Sequence, residues 1–323
     1  MRTSQWLLWA GCIGGFVAGD IAVWGQDAGR PGIPASVIVT IGHTFGHGPG
    51  ALKRENLTVT KDSAPLTVTG LVPLQGARAG LELFLLVDNC SSCEPGSKFQ
   101  ELRRFITSQA PTTSVGVAYI QDGHLQIAEQ PTKDRERAVR ALNTPEGSKP
   151  ASPYVALSEL IKNWSPSANR RAILIVSNGV DPAAIEGERD PSAESAIAAA
   201  QRSAVTIFAI YHPSADWLKA DFSQIYRGQA LLGRVAYETG GEAYFLGLGP
   251  LPSLAPFLAD IAEHLANQYL LTFLANGPAG TFQEISVKSR DENDQLMAPG
   301  RVWVDGTAAG PQGRPRTYGL ERE

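Results

Sequence analysis

The sequence predicts an α/β protein: an open, doubly wound, mostly parallel sheet, with flanking β segments forming a small β-sandwich beside it. Three observations carry that expectation. Continuous apolar runs of strand length occur at Leu81–Asp88 (LELFLLVD), Ala172–Ser177 (AILIVS) and Ala204–Ile210 (AVTIFAI), as strands buried on both faces require. Amphipathic stretches of helical period separate these runs, and such alternation builds a parallel sheet covered on both sides. Before residue 81 and after residue 275 the pattern reverts to short strands between turn residues. The 33 Gly and 22 Pro among 323 residues fit many short elements joined by loops and argue against a long helical bundle.

The first 25 residues read as a secretory signal. Arg2 precedes a stretch rich in Trp, Leu, Ile and Val, and Val23 and Gly25 suit a cleavage site ahead of Gln26. Only 14 uncharged residues run from Trp6 to Gly19, too few for the roughly 20 that cross a bilayer, so no membrane span is expected in the mature chain. A lipoprotein signal at Cys12 is the weaker reading, because Trp9 stands where such signals carry Leu. The protein is thus expected to be secreted or periplasmic. Cleavage leaves two cysteines, Cys90 and Cys93, which an oxidising compartment would pair into a local disulfide.

Residues 26–80 form the N-terminal β segment, with strands expected at Val37–Thr40, Leu57–Val59 and Leu66–Val72. The α/β domain is assigned to 81–275. Within it, Phe99, Leu102, Phe105 and Ile106 recur at helical spacing. TSVGVAYIQDGHLQIAEQ reads as a β-hairpin turning at Asp122-Gly123, and supplies an antiparallel edge. Asp134–Leu142 reads as helix. Ser152-Pro153 and Asp190-Pro191 are helix starts, a capping side chain followed by a residue suited to the first turn. ALLGRVAYE stops at Gly240-Gly241 before a strand, and a further helix leads into QYLLTFL at Gln268–Leu274. The C-terminal β segment, 276–305, carries strands at Phe282–Ser289 and Arg301–Val304. A tail, 306–323, is rich in Gly, Pro and charge and is expected to be disordered.

In such a sheet function collects at the carboxyl ends of the strands, near the point where strand order reverses. Three loops qualify: VDNCSSC with Asp88, Cys90 and Ser92; the segment opening at Ser152; and VSNGVDP with Ser177, Asn178 and Asp181. The ordered motifs LFLLVDNCSS, SVGVAYIQDGHLQIAEQ, SPYVALSELI, RRAILIVSNGVD, LGRVAYETGGEAYF and IAEHLANQYLLTF resemble a von Willebrand factor type A (VWA) domain, specifically its exported bacterial branch.

The resemblance implies a metal-ion-dependent adhesion site built from Asp-x-Ser-x-Ser, a Thr and an Asp, which bind Mg²⁺ or Mn²⁺ through hard oxygens. Asp88 and Ser92 match. Cys90 replaces the first Ser, Ser152 stands for the Thr, and Asn178 replaces the Asp, so one carboxylate remains and a soft sulfur replaces a hydroxyl. The implied function is a protein-binding module whose rim is Asp88, Cys90, Ser92, Ser152 and Asn178, with a degenerate metal site. If an ion is held, Asp88, Ser92 and Ser152 are its ligands. Asp181 offers another carboxylate, although a turn before Pro182 explains it.

Two other readings use the same residues. A cation-dependent adhesin would keep the ion. A thioredoxin-like thiol oxidoreductase would use Cys90 and Cys93, but Glu94, Pro95 and Gly96 separate that pair from the helix start that would activate it. No hydrolase, zinc-protease or nucleotide-loop motif occurs, so no enzyme and no cofactor is expected. His43 and His47 lie in a Gly-rich loop, and His124 and His264 read as exposed. Lys plus Arg number 28 against 32 acidic residues, a net charge of −4 that disfavours nucleic acid and leaves a protein as the expected partner.

Overall fold

The computed structural model describes residues 32–42, 50–88, 96–121, 124–142, 152–183, 190–213, 221–249 and 252–305. The signal segment 1–25 with Cys12, the histidines at 43 and 47, Cys90, Ser92, Cys93, the Asp122-Gly123 turn and the tail lie outside the described residues.

Four parallel strands, β5 (Leu81–Asp88), β6 (Thr113–Gln121), β8 (Arg170–Ser177) and β9 (Val205–Tyr211), form the centre of a six-stranded sheet. Its order is β10-β9-β8-β5-β6-β7. β7 (His124–Thr132) pairs antiparallel with β6 at one edge, as the hairpin pattern predicts, and the two-residue β10 (Ala243–Tyr244) closes the other.

The period of two along β5 explains its continuous apolar run. Leu81, Leu83, Leu85 and Val87 meet α1 (Gly96–Ser108), α2 (Arg135–Ala141) and α6 (Ala255–Ala266) on one face. Phe84 and Leu86 meet α3 (Pro153–Lys162), α4 (Pro191–Ser203) and α5 (Phe222–Glu238) on the other. Both faces exclude water, so neither can tolerate a polar side chain without a partner. Glu82 has one: it accepts a 2.8 Å bond from the indole of Trp164, whose ring packs edge-on against Phe84.

Capping follows the sequence. Ser152 accepts from Val155 N, Asp134 from Arg137 N, and Asp190 from the amides of Ser192 and Ala193. At the start of α6, Ser253 Oγ accepts from Ala255 N, and Glu101 of α1 reaches across to accept from Ala255 N and Ser253 Oγ. That long-range cap left no local signal.

The flanking strands make three small antiparallel sheets around one shared core of Val37, Val39, Leu57, Val59, Leu271 and Phe273 with their neighbours. β1 (Ile33–Gly42), β4 (Val68–Pro73), β11 (Gln268–Ala275) and β14 (Gln295–Met297) form the largest, β2 (Leu57–Lys61), β3 (Ala64–Leu66) and β13 (Ser286–Ser289) the second, and β12 (Thr281–Glu284) with β15 (Arg301–Val304) the third.

Three sequence expectations need correction here. QYLLTFL does not extend the parallel sheet: β11 pairs with β1 over eight residues and with β4 on its other side. An apolar run after a helix reads the same for either sheet, and only the long-range partner decides. The expected single strands at 66–72 and 282–289 are each broken in two, because their halves serve different sheets. Buried Ile285 marks the second break.

Arg170 joins the two regions. Buried at the start of β8, it donates 2.9 Å bonds to the carbonyls of Leu74, before β5, and Leu265, at the end of α6. No helix among the described residues is long and apolar enough to cross a membrane.

Candidate functional site at the strand ends

Sheet order reverses at β5, which has β6 on one side and β8 on the other. The crevice beyond such a reversal is free of crossover connections, and it is where open sheets present their functional loops. Asp88 closes β5 and Ser177 closes β8. Ser177 Oγ donates to Asp88 Oδ2 at 2.7 Å and accepts from Gly179 N at 3.0 Å. Burial raises the Asp88 carboxyl from 3.8 to about 6, with the Ser177 bond pulling the other way.

The second loop meets the third through a different pair from the one expected. Ser152 Oγ hydrogen-bonds Asp181 Oδ2, and Asp181 Oδ1 accepts from Ala183 N at 2.8 Å. Asp181 is buried and both closes the turn and holds Ser152. Asn178 instead spends its side-chain oxygen on Val180 N, 2.9 Å away, a local turn. The structure therefore gathers Asp88 with Ser177, and Ser152 with Asp181.

Tyr154 supports this loop from below, its hydroxyl donating to Gly179 O at 2.7 Å. Burial above all, then the Asp190 and Asp181 carboxylates, hold its proton well above the ordinary phenol range, so it remains a donor. Gly179 adopts φ +69°, and it passes Gly228 of α5 so closely that a side chain on Gly179 would overlap Gly228 O and one on Gly228 would overlap Asn178 O. A cleft of about 510 Å³ opens between this loop and α5, bordered by Asp181, Asp221, Arg227 and Gly228.

His212 follows β9 at the same end of the sheet. Its Nε2 lies 3.2 Å from Lys98 Nζ on α1, and Nδ1 lies 3.0 Å from Pro213 O. Burial first, and the Lys98 charge second, lower its pKa from 6.5 to about 4. A neutral ring accepting from the ammonium and donating to the carbonyl satisfies both contacts. Sequence reasoning passed over this pair, although His212 stood directly after a buried run. Lys98 carried no local sign of its role.

The donors are hard oxygens, the type a Mg²⁺ site uses, but each has an internal partner. Asn178 Oδ1 accepts from Val180 N, Ser152 Oγ is engaged by Asp181, and Asp88 Oδ2 accepts from Ser177 Oγ. Of the expected set, Asp88, Ser152 and Asn178 are described, and Asp88 is the one carboxylate among them, fewer anionic oxygens than the implied Mg²⁺ centre uses.

No protein-family profile matches the sequence, and no curated protein matches it. Solved structures resemble the chain distantly. The ArnB paralog VWA2 from Sulfolobus acidocaldarius shares 9% identity at a TM-score of 0.37, over 83% of this chain and 76% of that one. The VWA domain of SpRpn10 shares 14% identity at 0.38, over 55% and 93%. The vWF domain of the type V pili tip protein Mfa5 from Porphyromonas gingivalis shares 12% at 0.40, over 57% and 94%. The fold class itself rests on strand order and register in this chain.

Proposed function

We propose that the chain is an exported, non-enzymatic protein-interaction module of the VWA kind, which binds its partner through the rim at the carboxyl end of the parallel sheet. One observation carries the reading: the polar groups at the strand ends are paired with one another, while apolar side chains around them face solvent. Val155 on the opening turn of α3, and Phe222 and Tyr226 on the opening turns of α5, are 43%, 57% and 60% exposed at that same end of the sheet. Two exposed aromatics and an exposed valine at the end of the sheet that carries these polar groups suit a protein interface, where aromatic anchors dominate affinity. The rim comprises Asp88, Ser152, Asn178 and Asp181, together with Cys90 and Ser92.

Cation-dependent adhesion is a second reading, and the Ser152–Asp181 pair favours it by bringing a second carboxylate into the site. The internal pairing of each donor supports the metal-free form. A local disulfide between Cys90 and Cys93 belongs to the proposal, as does removal of residues 1–25.

The test uses the mature chain purified from an oxidising compartment and a partner recovered with it. Asp88→Ala with Asp181→Ala, and separately Phe222→Ser with Tyr226→Ser, are each expected to weaken binding at least tenfold. Unchanged affinity in both would contradict the assignment, and catalytic turnover of a model disulfide would replace it with a redox enzyme.

A further inference from the structure

A second cluster of chemistry lies away from the strand ends, between the edge strand β10 and helix α6. Glu242 immediately precedes β10 and Tyr244 ends it. Asp260 and His264 stand one turn apart on α6, on a common face. The sequence reading left His264 exposed, but it is only 4% exposed and its ring stacks on Phe208 at 6.1 Å and 16°. Packing therefore fixes the imidazole. Its Nδ1 points at Tyr244 Oη, 3.2 Å away, with Glu242 Oε2 at 3.7 Å and Asp260 Oδ2 at 3.9 Å. Tyr244 Oη lies 2.7 Å from Asp260 Oδ2 and 3.5 Å from Glu242 Oε2.

One hydroxyl, two carboxylates and one imidazole nitrogen meet in this group. The Tyr244 hydroxyl has one proton, and at 2.7 Å Asp260 takes it. Glu242 Oε2 and Asp260 Oδ2 both approach His264 Nδ1 from the solvent side of the group. Both carboxylate side chains remain partly open to solvent, which provides a route inward to the buried nitrogen.

We propose that Glu242 Oε2, Asp260 Oδ2 and His264 Nδ1 bind one divalent transition-metal ion of the zinc type, with water in the fourth position and the Tyr244 hydroxyl hydrogen-bonded to the liganding Asp260. The three ligand atoms lie within 4.8 Å of one another. A tetrahedral ion bonded at roughly 2.0–2.2 Å needs ligand separations of about 3.3–3.6 Å. The 3.7 and 3.9 Å distances from His264 Nδ1 to the two carboxylate oxygens lie just above that requirement, and both carboxylate side chains are partly exposed. One imidazole nitrogen among carboxylates selects zinc-like ions over Mg²⁺, which prefers oxygen and water. Bound there, the ion pins α6 to the two-residue edge strand, whose pairing with β9 spans two residue pairs.

The experiment treats the full chain with chelator, then measures Zn²⁺ uptake by equilibrium dialysis and melting temperature at rising free Zn²⁺, with Mg²⁺ in parallel. The expected result is one Zn²⁺ per chain, a rise in melting temperature with Zn²⁺ alone, and at least tenfold weaker uptake in Glu242→Gln and in Asp260→Asn. Both substitutions are at partly exposed carboxylates, so the melting temperature without metal serves as the folding control, and His264→Gln provides a third arm. Asp88→Ala leaves the uptake unchanged and separates this site from the strand-end rim. Absence of uptake overturns the proposal and leaves a proton-sharing network around Tyr244. Uptake that persists in the Glu242→Gln Asp260→Asn double variant also overturns it, because the ion then sits elsewhere, as on His43 and His47.

Discussion

Ser177 Oγ donates a 2.7 Å hydrogen bond to Asp88 Oδ2, between the last residues of two adjacent parallel strands at the point where sheet order reverses. The bond stabilises the ionised carboxylate, and burial opposes it by a larger amount, which is why the carboxyl titrates near 6. The folded state therefore holds this proton more tightly than the unfolded chain. Stability associated with Asp88 falls as pH rises from about 4 to about 6, and the full cost, up to roughly 3 kcal/mol, persists above that window. Urea unfolding of Asp88→Asn should lack that slope and show a more stable protein at pH 7. Ser177→Ala should raise the Asp88 pKa further, as read by NMR titration of the carboxyl carbon.

His212 contributes a slope of opposite sign. Its folded pKa, about 4, lies below the ordinary 6.5, so below pH 6.5 the unfolded state takes up a proton that the folded state refuses. Stability is lost as pH falls from 6.5 to 4. His212→Gln should remove that acid-side loss, and the Asp88→Asn His212→Gln double variant should be flatter between pH 4 and 6.5 than either single variant.

Gly228 sets the position of the third loop. A methyl group there would overlap Asn178 O and crowd Gly179. Gly228→Ala should destabilise the protein by about 1–3 kcal/mol and move Asp181 away from Ser152. Gly233→Ala, on the same helix with open space around its Cα, should be neutral or slightly stabilising. Denaturant midpoints of the pair separate a packing effect from a helix-propensity effect.

Arg170 holds the start of β8 to the chain before β5 and to the end of α6 through two buried carbonyls. Arg170→Ala should cost about 2–4 kcal/mol, because both acceptors lose a charged donor. Arg170→Lys should recover less than half of the loss, since an ammonium does not span two acceptors as a guanidinium fork does. Chemical denaturation of the three proteins checks the order.

Much of the fold was legible because its signals are local. β5 announced itself by a run with no polar face, and α3 and α4 by Ser152-Pro153 and Asp190-Pro191. What could not be read depended on distant partners. β11 looks like one more buried strand until β1 is found beside it, and the break at Ile285 follows from pairing with β15 on one side and β2 on the other. The site divides in the same way. Asp88, Ser152 and Asn178 stood at predictable strand ends, whereas the Ser152–Asp181 pair and the Lys98–His212 contact join residues 29 and 114 positions apart. His264 was misread because a histidine beside Glu263 near a helix end gives no sign of the Phe208 ring beneath it.

In the proposed function the strand-end rim binds its partner without a resident Mg²⁺ or Mn²⁺. Thermal melting of the mature chain tests it directly, after chelator treatment and then with millimolar Mg²⁺ or Mn²⁺ added. A ion bound only by the folded state raises the melting temperature in proportion to the logarithm of its concentration over its dissociation constant. The expected result is no rise that depends on Asp88. A clear rise in wild type that Asp88→Ala abolishes would contradict the metal-free rim and make the protein a cation-dependent adhesin.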